Sequence, residues 1–472
     1  MAQLLDAVRD ASGQPSFRSA NFLGATFPSG ADFNGSSFVS ACFNNAHFGG
    51  FTQFKRASFS DAAYLFDVTC EATMTFAGAT FSGHALNIDG SFEGAYFPGV
   101  RFESTDIHIG PLICADRAVF TNAQFQSPAT IEVAAPHVEC RNSQWSSIAT
   151  LRLRYASADF TNAWFEYPVS VSANAEPFVA TFDRPADEAG FSGDPGVRLK
   201  SLRGVDAAHL LLTDIDLSTC TFAGAIHLDQ LRMHGNCSFA SASTSFRLFP
   251  VPRHWTARRV LAEEHNWRAH RQGAAADGWQ PLSDSDGIRR TPGPQHIAIL
   301  YRELRKSFED AKNEPGAADF YYGEMEMRRH SHRWREAERW LLQTYWLLSG
   351  YGLRASRAIC WLLVAMTITV LLMMGFGLPA EPPKQTATGA LPSQGGQVTF
   401  KIDKEDPKNP ADNRFTGKRF EKALNVTLNS VVFRSSGQDL TTAGGYIEMA
   451  SRLSEPVLLA LGILAIRSRV KR

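Results

Sequence analysis

The residues of this chain that could support acid–base, metal or redox chemistry are few and poorly grouped. His330 and His332 are two apart, so on a helix they point to different faces and make a poor metal chelate. Glu324, Glu326, Glu336 and Glu338 sit among Arg328, Arg329, Arg333, Arg335 and Arg339, and are expected to pair with those cations rather than work as an acid–base couple. The seven cysteines (Cys42, Cys70, Cys114, Cys140, Cys220, Cys237 and Cys360) show no CxxC spacing and read as small apolar fillers, kept reduced. There is no GxGxxG opening a helix after a strand, no GxxxxGK[ST], no HExxH and no GxSxG. The expectation is a protein that is not an enzyme and carries no cofactor and no metal.

Two further patterns lie near the C-terminus. Glu448, Arg452 and Glu455 interrupt an apolar run at spacings of four and three, so they can pair along one helix face. Ionisable groups near membrane depth are candidates for function. Thr442-Ala443-Gly444-Gly445-Tyr446 has the residue types of a cation filter, written Thr-x-Gly-Tyr-Gly, but not their order, so a potassium-selective filter is not expected.

The element that dominates the chain is a ladder of aromatics. Phe22 and Phe27 are five apart, as are Phe33, Phe38, Phe43 and Phe48, then Phe54, Phe59 and Tyr64. A small residue sits two positions before most of them: Ala20, Ala25, Ala31, Ser36, Ala41, Ala46, Thr52, Ala57 and Ala62. Single-residue slips fall near Gly30 and Gly50. A period of five fits neither a helix nor a flat strand. It fits a coil that turns a corner every five residues and stacks on itself, with Phe inward and polar residues such as Asn44 outward. Roughly 230 residues in coils of about twenty, stacked about 4.8 Å apart, make a rod roughly 55 Å long.

This pattern resembles the pentapeptide-repeat family. The resemblance implies an all-β, right-handed quadrilateral β-helix. Leu300-Tyr301-Arg302-Glu303-Leu304-Arg305, Phe320-Tyr321-Tyr322-Gly323-Glu324-Met325-Glu326 and Ser349-Gly350-Tyr351-Gly352-Leu353-Arg354 are similar to segments of bacterial membrane-associated members of that family, which implies a C-terminal transmembrane module with a degenerate, two-helix, pore-loop-like order.

The net charge of zero hides an asymmetry. Through residue 250 there are 15 Lys+Arg against 24 Asp+Glu, a net of −9, and the remainder carries 32 against 23, a net of +9. The expected organisation is an N-terminal cap over 1–16 and a solenoid over 17–250, irregular over 131–212. A basic linker follows over 251–294, with Arg253–His270 as a basic helix, then a helical stalk over 295–350. Ile297, Leu300, Tyr301, Leu304 and Phe308 carry the helical period of that stalk. Residues 351–378 form a first transmembrane helix: Ala358 to Leu378 has no charge and no Pro over 21 residues, enough to span about 30 Å of hydrocarbon. Residues 379–443 form an extracytoplasmic loop with a short amphipathic helix at Phe420–Phe433. Residues 444–472 form a second transmembrane helix and a basic cytoplasmic tail. Arg354 and Arg357 before the first span, and Arg467, Arg469, Lys471 and Arg472 after the second, place both termini in the cytoplasm of a bacterial inner membrane.

The functional expectation is a membrane-anchored scaffold or interaction protein, with membrane lipid, an unidentified protein and a second copy of itself as partners. The alternatives are an ion-conducting or pore-forming effector and a gyrase-binding DNA mimic. The mimic reading rests on the −9 half, where Arg18, Arg56, Arg101 and Arg117 interrupt the acidic residues, and nucleic acid itself is not an expected partner.

Overall fold

A computed structural model describes residues 15–180, 184–242, 246–247, 253–254, 257–271, 278–282, 292–380, 385–389, 401–404, 407–410, 413–432, 435 and 437–470. Most of the cap expected over 1–16, part of the loop over 379–443 and residues 471–472 of the basic tail lie outside the described residues. The chain divides into two compact units, Met1–Ser331 and His332–Arg472.

The first unit is a parallel β-solenoid of about ten turns. Its strands join in one 22-stranded sheet in which equivalent residues of successive coils stand in register, as in Phe17↔Phe38 and Phe38↔Phe59. The five-residue period has a local cause. The N–H of Ala25, Ser36, Ala46, Ala57 and Ala79 bonds back to the carbonyl of the aromatic three residues earlier, closing a tight turn. The third residue of each turn has positive φ: Gly24, Gly35, Asn45, Arg56 and Gly78. A turn of that geometry favours Gly or Asn at its third position. The slips near Gly30 and Gly50 mark a close approach of backbones. A Cβ on Gly30 would lie 2.2 Å from the Phe51 carbonyl oxygen, and one on Gly50 would lie 2.7 Å from the Ser29 backbone.

The aromatics fill the interior. Phe33, Phe38, Phe43, Phe48, Phe54 and Phe59 are buried, and Phe22 and Phe27, in the first coil, are partly buried. They stack on the coil above as Phe22 on Phe43, Phe27 on Phe48 and Phe33 on Phe54, with centroids 4.8–4.9 Å apart. Asn44 does not simply face outward: its Oδ1 accepts the Phe66 N–H of the next coil at 3.0 Å. Asn34 does the same for Lys55 at 2.8 Å. These side chains complete the backbone bonding at corners where the strand ladder is interrupted.

The solenoid continues through 131–212. Ala129, Ala149, Val169 and Leu210 stand in one register. The irregularity in sequence is one excursion between the coils at Val169 and Leu210. It contains a short hairpin of Val179–Ala180 with Arg184–Pro185 and is tied down by an ion pair of Arg154 with Glu188 at 2.9 Å.

Beyond the last coils, described residues of the stretches expected as linker and stalk, up to Ser331, pack onto the solenoid. Helix α1 (Ala262–Ala269) is shorter than the basic helix expected over Arg253–His270, because Arg259–Val260 pairs as a strand with Ala240–Ser241. Helices α2 (Pro294–Asp310) and α3 (Glu314–Ser331) bury Ile297, Leu300, Tyr301, Leu304, Phe308 and Phe320 in the same core as the solenoid. Ser307 Oγ donates to the Leu231 carbonyl at 2.5 Å, and Phe239 packs edge-on to Phe320 with centroids 5.0 Å apart. An open solenoid end exposes an unpaired strand edge, and these helices cover that edge.

The second unit is helical. It contains α4 (Ala337–Ser349), α5 (Ala355–Leu372, running on into a wider turn at Met373–Gly377), α6 (Gly417–Val431) and α7 (Thr442–Val470), besides a small hairpin of Gln385–Thr388 with Lys401–Lys404. Two stretches, Ala355–Gly377 and Thr442–Arg467, are long and apolar enough to cross a membrane.

Candidate functional site

Three places concentrate unusual chemistry. The first is the seam between α1, α2 and α3. Glu264 Oε1 receives Arg258 Nη2 at 2.5 Å and Arg268 Nε at 2.7 Å, and Tyr301 donates to its Oε2 at 2.5 Å. Arg268 Nη2 reaches on to Glu326 Oε1 at 3.2 Å, which Arg329 also approaches at 2.6 Å and His330 at 3.4 Å. All of these side chains are buried or nearly so. Burial works against charge on Glu264, but Arg258 and Arg268 outweigh it and hold the carboxyl below its ordinary range. Glu326 lies well below its ordinary range, since Arg329, His330 and Arg268 together overcome its burial. Burial keeps His330 depressed. Next to them Glu263 behaves in the opposite way. Burial pushes its carboxyl up to about 7, even though the Phe222 N–H donates to it. The cluster clamps the closing helices together. The carboxylates of Glu264 and Glu326 are each held by two arginines.

The second place is the solenoid surface. A groove of about 400 Å³ crosses several coils and is lined in part by Ile107, Pro128, Ile148, Pro168, His209 and Arg232. Ile148 is 55% exposed at its edge, and Trp164 and Tyr167 are exposed on the same unit.

The third is the helical module. α7 is inside-out relative to a water-soluble helix. Its buried positions include Gly444, Ser451, Glu455, Leu458 and Gly462, largely small or polar. Its exposed positions include Met449, Leu453, Val457, Ile463 and Leu464, with Leu453 72% exposed. α5 exposes Leu363, Val364, Ile368 and Leu371 in the same way. The two helices touch through small residues: a Cβ on Gly444 would lie 2.3 Å from the Gly377 carbonyl oxygen. α6 packs its Ala423 and Val426 against Val370, Met373 and Met374 of α5 and the turn that extends it. Arg419 donates to the carbonyls of Met374, Leu378 and Pro379 at 2.8–2.9 Å, satisfying the end of that helix. α4 is held by Trp361 Nε1 donating to the Leu347 carbonyl at 3.1 Å.

The residues singled out in the sequence are distributed as follows. The Phe ladder forms the solenoid core. Glu324 and Glu326 pair with arginines, Glu324 with Arg302 and Arg305. Glu336 and Glu338 instead face His332, and that contact lowers the Glu336 carboxyl. His330 and His332 fall in different units. Of Glu448, Arg452 and Glu455, only Glu455 is buried, and it turns to Thr369 of α5 (Oγ1 to Oε1, 2.9 Å) rather than to Arg452. Thr442–Tyr446 forms the first turn of α7. Thr441 caps it by accepting the Gly444 N–H at 3.1 Å while donating to the Phe376 carbonyl at 2.6 Å. Sequence reasoning missed Thr369, whose only signal was a hydroxyl inside an apolar span. It also missed Arg258, Glu264 and Arg268, which read as part of a solvated linker. Among the described residues no group of three or more His, Cys, Asp or Glu side chains is arranged to hold a metal ion. No family model, no curated protein and no solved structure matches the chain.

Proposed function

We propose that the chain is a membrane-anchored scaffold of the pentapeptide-repeat type: a right-handed, four-sided β-helical rod on the cytoplasmic side of a bacterial inner membrane, with Ala355–Gly377 and Thr442–Arg467 as its two spans. The observation that carries the anchor is the inside-out character of α7, with Glu455 fully buried and Leu453 72% exposed. That distribution suits a hydrocarbon solvent, where helices associate through small and polar residues and present apolar side chains outward. Arg354, Arg357 and Arg467 flank the spans on the side assigned to the cytoplasm. The rod supplies a long, regular surface, with the groove at Ile148 as the place for a partner. Fractionation of cells making the full chain tests the anchor. It is expected in the membrane pellet and resistant to carbonate washing, and recovery in the soluble fraction would overturn the reading.

A second reading, an ion-conducting module, is favoured by one observation: α6 packs on both spans, preserving the order long helix, short helix, long helix. It is the weaker reading, because Thr442–Tyr446 is coiled into a helix rather than extended with its carbonyls along a pore. Conductance of the purified protein in planar bilayers tests it, and silence across lipids and voltages would remove it.

A further inference from the structure

At the middle of the helical module one hydroxyl is asked to serve two oxygens. Thr369 Oγ1 lies 3.0 Å from the Ala365 carbonyl oxygen, one turn back on its own helix, and 2.9 Å from Glu455 Oε1 on the other helix. A threonine hydroxyl has one proton to give. A carbonyl oxygen has none. If Glu455 were a carboxylate, both neighbours would be acceptors and would have to share the single hydroxyl proton in a weaker three-centre bond. Each contact has a proton of its own only when Thr369 donates to Ala365 and the acid O–H of Glu455 donates to Thr369.

The second carboxyl oxygen agrees. Glu455 is 0% exposed, and its Oε2 is buried with no hydrogen-bond partner. A buried ionised carboxylate with an unpartnered oxygen carries a penalty that neutralisation removes. Among the described residues no cation pairs with it. Arg452 and Glu448, one and two turns earlier on its own helix, are the nearest charged groups in sequence. Of the elements packed against α7, the first span buries Thr369, Val370, Met373 and Met374, and α6 buries Ala423, Val426, Thr427 and Ser430, none of them titratable. α4 buries Arg339, which is committed to the His332 carbonyl at 2.8 Å and to the face of Trp334.

We propose that Glu455 is a proton-binding site: a carboxyl held as the neutral acid at the centre of the module, whose proton forms the hydrogen bond that joins the two spans at Thr369. The proposal rests on the reading of these helices as membrane spans, and it gives that pair a ligand, a single proton.

The test is an infrared difference spectrum of the full chain in phospholipid vesicles near neutral pH, wild type minus Glu455→Gln. The expected result is an acid C=O band, present only in the wild type, that moves to lower wavenumber in D2O. A pair of carboxylate bands in its place would overturn the proposal. Thr369→Val covers the case in which Glu455→Gln does not reach the vesicles: loss of the hydrogen bond should move the acid band to higher wavenumber, and an unmoved band would overturn the pairing with Thr369. Flotation of the same samples keeps the two readings apart. Protein that fails to float overturns the membrane reading, while the presence or absence of the acid band still decides the protonation.

Discussion

The rings of Phe38 and Phe59 lie 4.9 Å apart and 11° from parallel, one coil above the other, and Phe17 stacks on the far side of Phe38 at 5.0 Å. Phe38 is therefore sandwiched and has no exposed surface. Phe38→Ala should cost about 3–5 kcal/mol, as for other buried aromatic truncations. Because each coil touches its neighbours, hydrogen exchange should rise near Phe38 and stay low near Phe222. A uniform loss of protection along the rod would contradict this.

Asn44 would pass as a neutral control if it merely faced solvent. The bond from the Phe66 N–H to its Oδ1 makes it a corner brace between coils. Asn44→Ala leaves that donor without its partner and should cost about 1–2 kcal/mol, read from urea denaturation. A cost indistinguishable from zero would mean that water replaces the side chain at no loss.

The closing helices should respond to pH in two windows. Glu264 and Glu326 are depressed by their arginines, so their stabilisation is complete above the unfolded carboxyl value, about 4.3, and is lost as pH falls through their folded values. Glu263 is raised to about 7, so the stabilisation linked to it is present at low pH and lost as pH rises from about 4.3 through 7. A thermal melt of the full chain across this range should show a steep acid limb and a shallower decline toward neutrality, partly offset by His330 and His265, which burial depresses and which therefore gain stability as pH rises to about 6.5. Glu263→Gln should flatten the second and leave the first. An unchanged neutral slope would remove Glu263 from the account.

Gly444 and Gly377 meet backbone to backbone. A side chain at 444 must displace the Gly377 carbonyl, because the nearest atoms belong to main chain rather than to a flexible tip. Gly444→Val should separate α7 from the end of α5. Crosslinking between cysteines introduced at Ala358 and Gly462, whose neighbourhoods touch at the other end, should fall several-fold, and undiminished crosslinking would show that the helices pair without the glycine contact.

What was legible in the sequence followed from local periodicity. The Phe ladder has a period that only a cornering coil satisfies, and the buried positions of α2 repeat at helical spacing. The short helix expected at Phe420–Phe433 is found at Gly417–Val431, and within the stretches 351–378 and 444–472 lie two helices, Ala355–Gly377 and Thr442–Arg467, long and apolar enough to cross a membrane. What stayed hidden depends on partners far apart in the chain. Arg258, Glu264, Arg268 and Glu326 look solvated one by one and become a buried cluster only when α3 returns to α1. Glu455 and Thr369 are 86 residues apart. The spacing rule that pairs Arg452 with Glu455 counts only neighbours on one helix.

The register Phe17↔Phe38↔Phe59 also sets how the rod can change length. Removing the residues from Phe38 to Ser58 would bring Phe59 onto Phe17 and leave every later contact, including the seal of α2 on Leu231, as it was. Each such step alters the length by one strand spacing, about 4.8 Å. Removing five residues would instead break that register and strand the aromatics over the wrong neighbours. The rod is a ruler graduated in whole coils, and duplication or loss of a graduation changes the reach of whatever its surface carries without refolding either end.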